Sequence, residues 1–196
     1  MKKISALEIK KLRELTGASV MECREALQQA GGDPEKAVEH LRHKGKEKAG
    51  KKSSRKTGEG VVAAYIHSNK KIGALVELRC ETDFVAKNSE FQELAYDLAM
   101  QVAALGARYI SSDAVSSQER EAYEHLIREE LAAQMKPDNV IEKIVAGKVK
   151  KHFEDLSLLE QAYVKNPDIT VDELIKEKVL KIGENIQIAN FVRFEI

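Results

Sequence analysis

Five histidines, His40, His43, His67, His125 and His152, are the residues of this 196-residue chain whose type would most readily support metal binding or proton transfer. Only His40 and His43 stand close, three positions apart. A catalytic zinc site takes three protein ligands, and no HExxH pattern or cysteine pair supplies the rest. Surface histidines are therefore expected. Gly45 to Lys52, GKEKAGKK, nearly match the phosphate-loop pattern GxxxxGK[ST]. The match fails at Lys52, where the Mg2+-binding hydroxyl belongs, and no apolar strand precedes Gly45. There is no GxSxG elbow. The acids lie beside lysines at helical i+3 and i+4 spacing, where a solvated face explains them. Cys23 and Cys80 form no CxxC pair, so neither a disulfide framework nor a thiolate metal site is expected. These residues predict no catalytic group, no metal and no cofactor.

The segment CETDFVAKN, Cys80 to Asn88, is the more informative one. A strand with Ala74, Val76, Leu78 and Cys80 on one face runs into Thr82 and Asp83, and an aromatic follows at the turn. Periodicity alone favours Phe84 and Val85 folding back as staples on the next helix. The alternative is a protruding wedge for a partner's pocket, because aromatic anchors carry much of the energy of protein interfaces.

The elements that must position this segment are marked by caps. Ser5 with Glu8 and Ser19 with Glu22 form capping boxes, Gly17 and Gly31 stop the two helices, and Ile4 is placed to staple onto Ile9. Asp33 followed by Pro34 opens a third helix through Leu41. Residues 42–60 read as a solvated basic linker whose first part extends that helix. Val61–Ile66 and Ile72–Glu81 read as a β-hairpin turning at His67 to Lys71. A box at Ser89 and Gln92 opens a helix with Phe91, Leu94, Ala95, Leu98, Val102 and Leu105 on one face. Ser116 with Glu119 and Asn139 with Glu142 open two helices joined by a turn at 136–138, a projecting hairpin over about 117–154. Thr170 with Glu173 opens a last helix. Ile186 to Ile196 then alternates, with Ile186, Ile188, Val192, Phe194 and Ile196 on one face, as a strand joining the hairpin. The predicted class is α+β: a three-helix module at 1–41, a basic linker at 42–60, and a body at 61–196 with a small antiparallel sheet under helices.

Composition sets the outer bounds. The chain is 43% hydrophobic and 33% charged, which excludes disorder throughout. Neither a membrane helix nor a secretion signal is expected, and the cytoplasm is the expected compartment. Thirty-two basic residues balance 32 acidic ones, but residues 42–57 hold eight basic side chains against the single acid Glu47. Phosphate binding by this run is the competing reading; without interleaved aromatics, and beside an acidic body, nucleic acid is not expected as a partner.

LRELTGASVMECREAL (12–27), EGVVAAYIHSNKKIGALVELRCETDFVAKN (59–88), AGKVKKHFEDLSLLEQAYV (146–164) and KIGENIQIANFVRFEI (181–196) together resemble the bacterial elongation factor Ts family. The chain departs from the family in the hairpin turn, with Asn69, Lys70 and Lys71 where Gly and Arg are usual. The resemblance implies a guanine nucleotide exchange factor, without chemistry of its own, that binds elongation factor Tu in its GDP-bound and nucleotide-free states. It implies that Thr82, Asp83, Phe84 and Val85 displace Mg2+ from the GTPase, with Phe84 as the wedge. It implies a ubiquitin-associated-like head docking through Arg13, Thr16, Gly17 and Met21, and a secondary contact at His67. Longer family members carry two hairpin-bearing halves and this chain one block, which implies a homodimer.

Overall fold

The computed structural model describes residues 4–132 and 137–196. Three helices open the chain where the sequence places caps. α1 (Ala6–Thr16) starts at Ser5 and α2 (Val20–Gln29) at Ser19, each with both halves of the capping box formed. α1 ends at Gly17, whose φ of 68° is a left-handed conformation that a Cβ disfavours. α3 (Pro34–Lys52) starts at Asp33, which accepts from the Glu35 and Lys36 amides. Leu12, Cys23, Leu27, Ala37 and Leu41 form a buried cluster of their own, with Ile4 and Ile9 packed on it. This is the arrangement expected of a ubiquitin-associated-like head.

The first part of the basic run extends the third helix as expected, and the extension is long. Residues 42–52 are the second half of α3 rather than solvated linker, so Gly45 to Lys52 offers no loop to cradle a phosphate. Arg42 and Lys46 pair with Glu177 (3.2 Å) and Glu173 (2.8 Å) of the last helix, α8 (Val171–Ile182). Lys44 and Lys48 reach back to Glu25 (2.7 Å) and Glu22 of α2. Gly45 is buried against Leu180. The positive stretch is a strut between head and body, matched by acids on both sides.

Glu22 makes part of that strut pH-sensitive. Burial pushes its carboxyl up, but hydrogen bonds from Lys48 and Ser19 outweigh burial and hold it down at about 2 rather than the ordinary 4.5. A depressed folded-state pKa gives stability that is present above the unfolded value and lost as pH falls through the folded one, here between about 4.5 and 2. Glu22→Gln keeps the cap acceptor and removes the charge. Allowing for the exposure of Lys48, it is expected to cost the head on the order of 2 kcal/mol at neutral pH. It should also flatten the acid loss of head stability, read by amide-exchange protection of Cys23 and Leu27 across the acid range.

The body is built on a three-stranded antiparallel sheet of order β1-β2-β5: β1 (Glu59–Ile66), β2 (Ile72–Cys80) and β5 (Gln187–Glu195). Ala74, Val76, Leu78 and Cys80 face the core as expected. They pack against Phe91, Leu94, Ala95, Leu98 and Val102 of α5 (Ser89–Leu105), while Leu105 is exposed. Asn88 rather than Ser89 caps α5, accepting from the Glu90 amide, and Gln92 donates to Ala86 O instead of closing a box.

β5 corrects the expected alternation. Its register against β2 shifts between Glu77 and Leu78, a bulge that reverses the side-chain phase. Ile186 and Ile188 are buried, but beyond the bulge Phe191 packs on the core and Val192, Phe194 and Ile196 are exposed. α6 (Ser117–Ala132) and α7 (Asp138–Asp155) pack through Ile127, Leu131 and Val145. The Ser116–Glu119 box is formed. α7 opens after Pro137 rather than at Asn139, and Glu142 pairs with Arg128 instead of capping; Lys136 of the expected turn lies outside the described residues. His152, expected at the surface, is half-buried and stacked on Tyr123 with ring centroids 3.8 Å apart. An unexpected hairpin, β3 (Ala162–Tyr163) and β4 (Asn166–Thr170), precedes α8 at Thr170. The fully buried Gln101 secures it by donating to Ala162 O and accepting from the Val164 amide. No helix among the described residues is long and apolar enough to cross a membrane.

Candidate functional site

β2 loses its ladder partner after Cys80, and the chain turns at Thr82 into a single helical turn, α4 (Asp83–Ala86). The segment expected as an open turn is thus helical. Thr82 is its N-cap, the hydroxyl accepting from the Val85 amide at 3.4 Å. Beneath it the Cys80 thiol, pushed up to about 11 mainly by burial, donates to Thr82 O at 3.2 Å. Such a thiol stays protonated and inert near neutrality.

Helical geometry separates the four residues of the turn. Successive side chains step about 100° around the axis, so a turn that buries two neighbours must expose the others. Val85 and Ala86 enter the main core. Phe84 is 80% exposed and joins no aromatic pair among the described residues. The staple reading therefore holds for Val85 and fails for Phe84. Leaving a Phe in water forgoes roughly 1.5–3 kcal/mol of burial, which a partner's pocket would recover. Beside it Asp83 pairs with Lys87 at 2.7 Å, and that hydrogen bond holds the exposed carboxyl below its usual range.

Of the head residues singled out in the sequence, Arg13 and Met21 are exposed at the α1–α2 corner. Thr16 is turned inward, donating to Leu12 O at 2.7 Å. Gly17 sits so close to the body that a Cβ there would lie 2.6 Å from Lys181 Cδ. Lys181 in turn pairs with Glu90, in the first turn of α5, at 2.6 Å. One lysine thus spans from the head corner to the helix that follows the Phe84 turn and links the two candidate surfaces. His67 does not join them. Exposed, with Nδ1 3.1 Å from the Tyr65 hydroxyl, it sits at the far end of the hairpin. The length of β2 puts it about 30 Å from the Phe84 turn.

Three contributors were not picked out from the sequence. Leu15 near the end of α1 and Val20, next to Met21 in the chain, are large apolar groups left exposed; a helical wheel sets Leu15 about 90° off the Ile9–Leu12–Thr16 stripe, which is a legible sign. Glu184, which holds the base of the Phe84 turn, carries no local sign, because its partners are about a hundred positions away.

The chain has close relatives along its whole length. A family model described as Elongation factor TS matches residues 9–196. The chain is 50% identical over 193 residues to Elongation factor Ts of Thermosipho melanesiensis, covering 98% of each. It is 48% identical over 188 residues to the Thermotoga maritima protein of the same name, covering 96% of this chain and 94% of that one. To Elongation factor Ts of Oleidesulfovibrio alaskensis it is 44% identical over 196 residues, 100% of this chain and 99% of that one.

Proposed function

The chain belongs to the elongation factor Ts family of translation elongation factors, and from that premise we propose that it is a guanine nucleotide exchange factor for the GTPase elongation factor Tu. It makes and breaks no bond. By binding the nucleotide-free GTPase more tightly than the GDP-bound form, it weakens GDP binding by the same coupling free energy. GTP then refills the vacated site, in the cytoplasm where translation proceeds. Phe84 is the wedge, Asp83 its polar companion, and Thr82 and Val85 the cap and anchor of a turn that displaces Mg2+ from the GTPase. Arg13, Thr16, Gly17 and Met21 form the corner that docks the head, with His67 as a separate contact at the far end of the hairpin.

The observation that carries this reading is Phe84, a large apolar ring 80% exposed on a capped turn whose neighbour Val85 is buried. RNA binding by the basic run is the competing reading, and it is weakened by the pairing of Lys44, Lys46 and Lys48 with acids of α2 and α8. The test is release of labelled GDP from loaded elongation factor Tu. Adding the chain is expected to accelerate release, and excess GDP to dissociate the resulting complex. Release at the unassisted rate would overturn the proposal.

A second copy of the chain is proposed as the other partner. The support is the sheet face away from α5, where Val62, Ile66, Leu75, Val192 and Phe194 are exposed together.

A further inference from the structure

Phe84 is 80% exposed and in no aromatic pair among the described residues, so its aim depends on how the backbone enters α4. Beyond Cys80 no strand among the described residues holds that backbone, and one side chain takes over from the ladder. Glu184 Oε2 accepts from the amides of both Glu81 and Thr82 at 3.1 Å. Its Oε1 accepts from the Thr82 hydroxyl at 2.7 Å. That hydroxyl has one proton, and Glu184 takes it, leaving a lone pair for the Val85 amide that starts the turn. The clasp is reciprocal: the Asn185 amide donates to Glu81 Oε1 at 2.7 Å. It is also tied to the strut. The buried Asn185 side chain donates to Arg55 O at 2.9 Å, and Lys52 Nζ donates to Gly183 O.

We propose that Glu184 is a positioning residue for the Phe84 wedge, fixing through Thr82 the direction in which the turn leaves the sheet. The role rests on the exchange reading above. Charge-assisted bonds to a carboxylate are about twice as strong as neutral ones, which suits a clasp that must hold while the ring is pushed into a partner. Without it, two amides turn to water and the Thr82 hydroxyl is free to rotate off its cap. The ring then samples many directions, and misplacement by about 1 Å can cost up to a hundredfold in rate.

The test is GDP release from elongation factor Tu, measured against factor concentration for wild type, Glu184→Ala and Glu184→Gln. Glu184→Ala is expected to lower the maximal rate about tenfold, with the half-saturating concentration changed less than about twofold because the head still docks. Glu184→Gln, keeping one acceptor oxygen, should lose less. In a Phe84→Ala background the Glu184→Ala change should cost nothing further, since it acts only through the ring. Should Glu184→Ala fold poorly, Glu184→Gln, which keeps the side chain's length and one acceptor oxygen and leaves the Thr82 cap in place, carries the same measurement. A maximal rate equal to wild type, or an undiminished loss in the Phe84→Ala background, overturns the positioning role alone. A wild-type chain that fails to accelerate release overturns the exchange reading, and this role with it.

Discussion

Replacing Phe84 with alanine is expected to slow the proposed acceleration of GDP release from elongation factor Tu by at least about tenfold, which is roughly 1.4 kcal/mol of barrier, while the fold keeps its stability. The two halves of this expectation have separate grounds. Stability is preserved because the ring is 80% exposed, so truncating it opens no cavity. Exchange suffers because the ring is the one large apolar group on the turn that can enter a partner, and truncating a well-packed interface aromatic costs about 2 kcal/mol or more. Not all of that need appear in the barrier, since some of the contact also stabilises the product complex; the tenfold figure takes the smaller share. Val85→Ala is the contrasting control. Val85 is buried in the main core, so its truncation should lower stability by about 1–2 kcal/mol before any effect on the partner is read. Stopped-flow release of a labelled nucleotide decides the matter: a Phe84→Ala chain as active as wild type removes the wedge from the mechanism.

What the sequence discloses and what it withholds divide along the range of the interactions involved. Ser5, Ser19, Asp33, Ser116 and Thr170 all cap the helices expected of them, because a cap is closed by residues three positions away. The core face of β2 is read correctly for the same reason: alternation is local. The connector misleads in its length because what its helix packs on, Leu180 with Glu173 and Glu177 beside it, lies more than 120 positions downstream. β5 misleads because a bulge of one residue inverts the face of everything after it, and Val192 and Phe194 fit the wrong phase as well as the right one. The candidate site shows the same division. TDFVA is a legible string, yet its periodicity cannot decide whether Phe84 or only Val85 turns inward. That depends on the cap at Thr82, and Thr82 is held by Glu184 from 102 positions away.

The inversion in β5 also carries a consequence for assembly. Beyond the bulge the three strands align two cross-strand rows on the open face: Ala64, Leu75 and Val192 in one, Ile66, Gly73 and Phe194 in the next. The second row is low in the middle, because Gly73 has no side chain between two large ones. Phe194 is 67% exposed and Ile66 70%, on a face that α5 leaves uncovered. A chain that keeps such adjoining apolar rows in water forgoes burial that a self-complementary two-fold contact would restore. The proposed dimer is therefore expected to fall apart when Phe194 is replaced by glutamate. A carboxylate in the middle of the contact must be desolvated without a partner, a penalty of several kcal/mol that exceeds the loss of the ring itself. The dimer dissociation constant should rise by at least about a hundredfold, roughly 2.7 kcal/mol, while the monomer's melting temperature holds because the side chain stands outside the core. Sedimentation equilibrium of both chains over a concentration series measures it. A wild-type chain that stays monomeric at the highest concentration, or a Phe194→Glu chain that dimerises as tightly as wild type, removes the sheet face from the assembly and leaves its exposure to another partner.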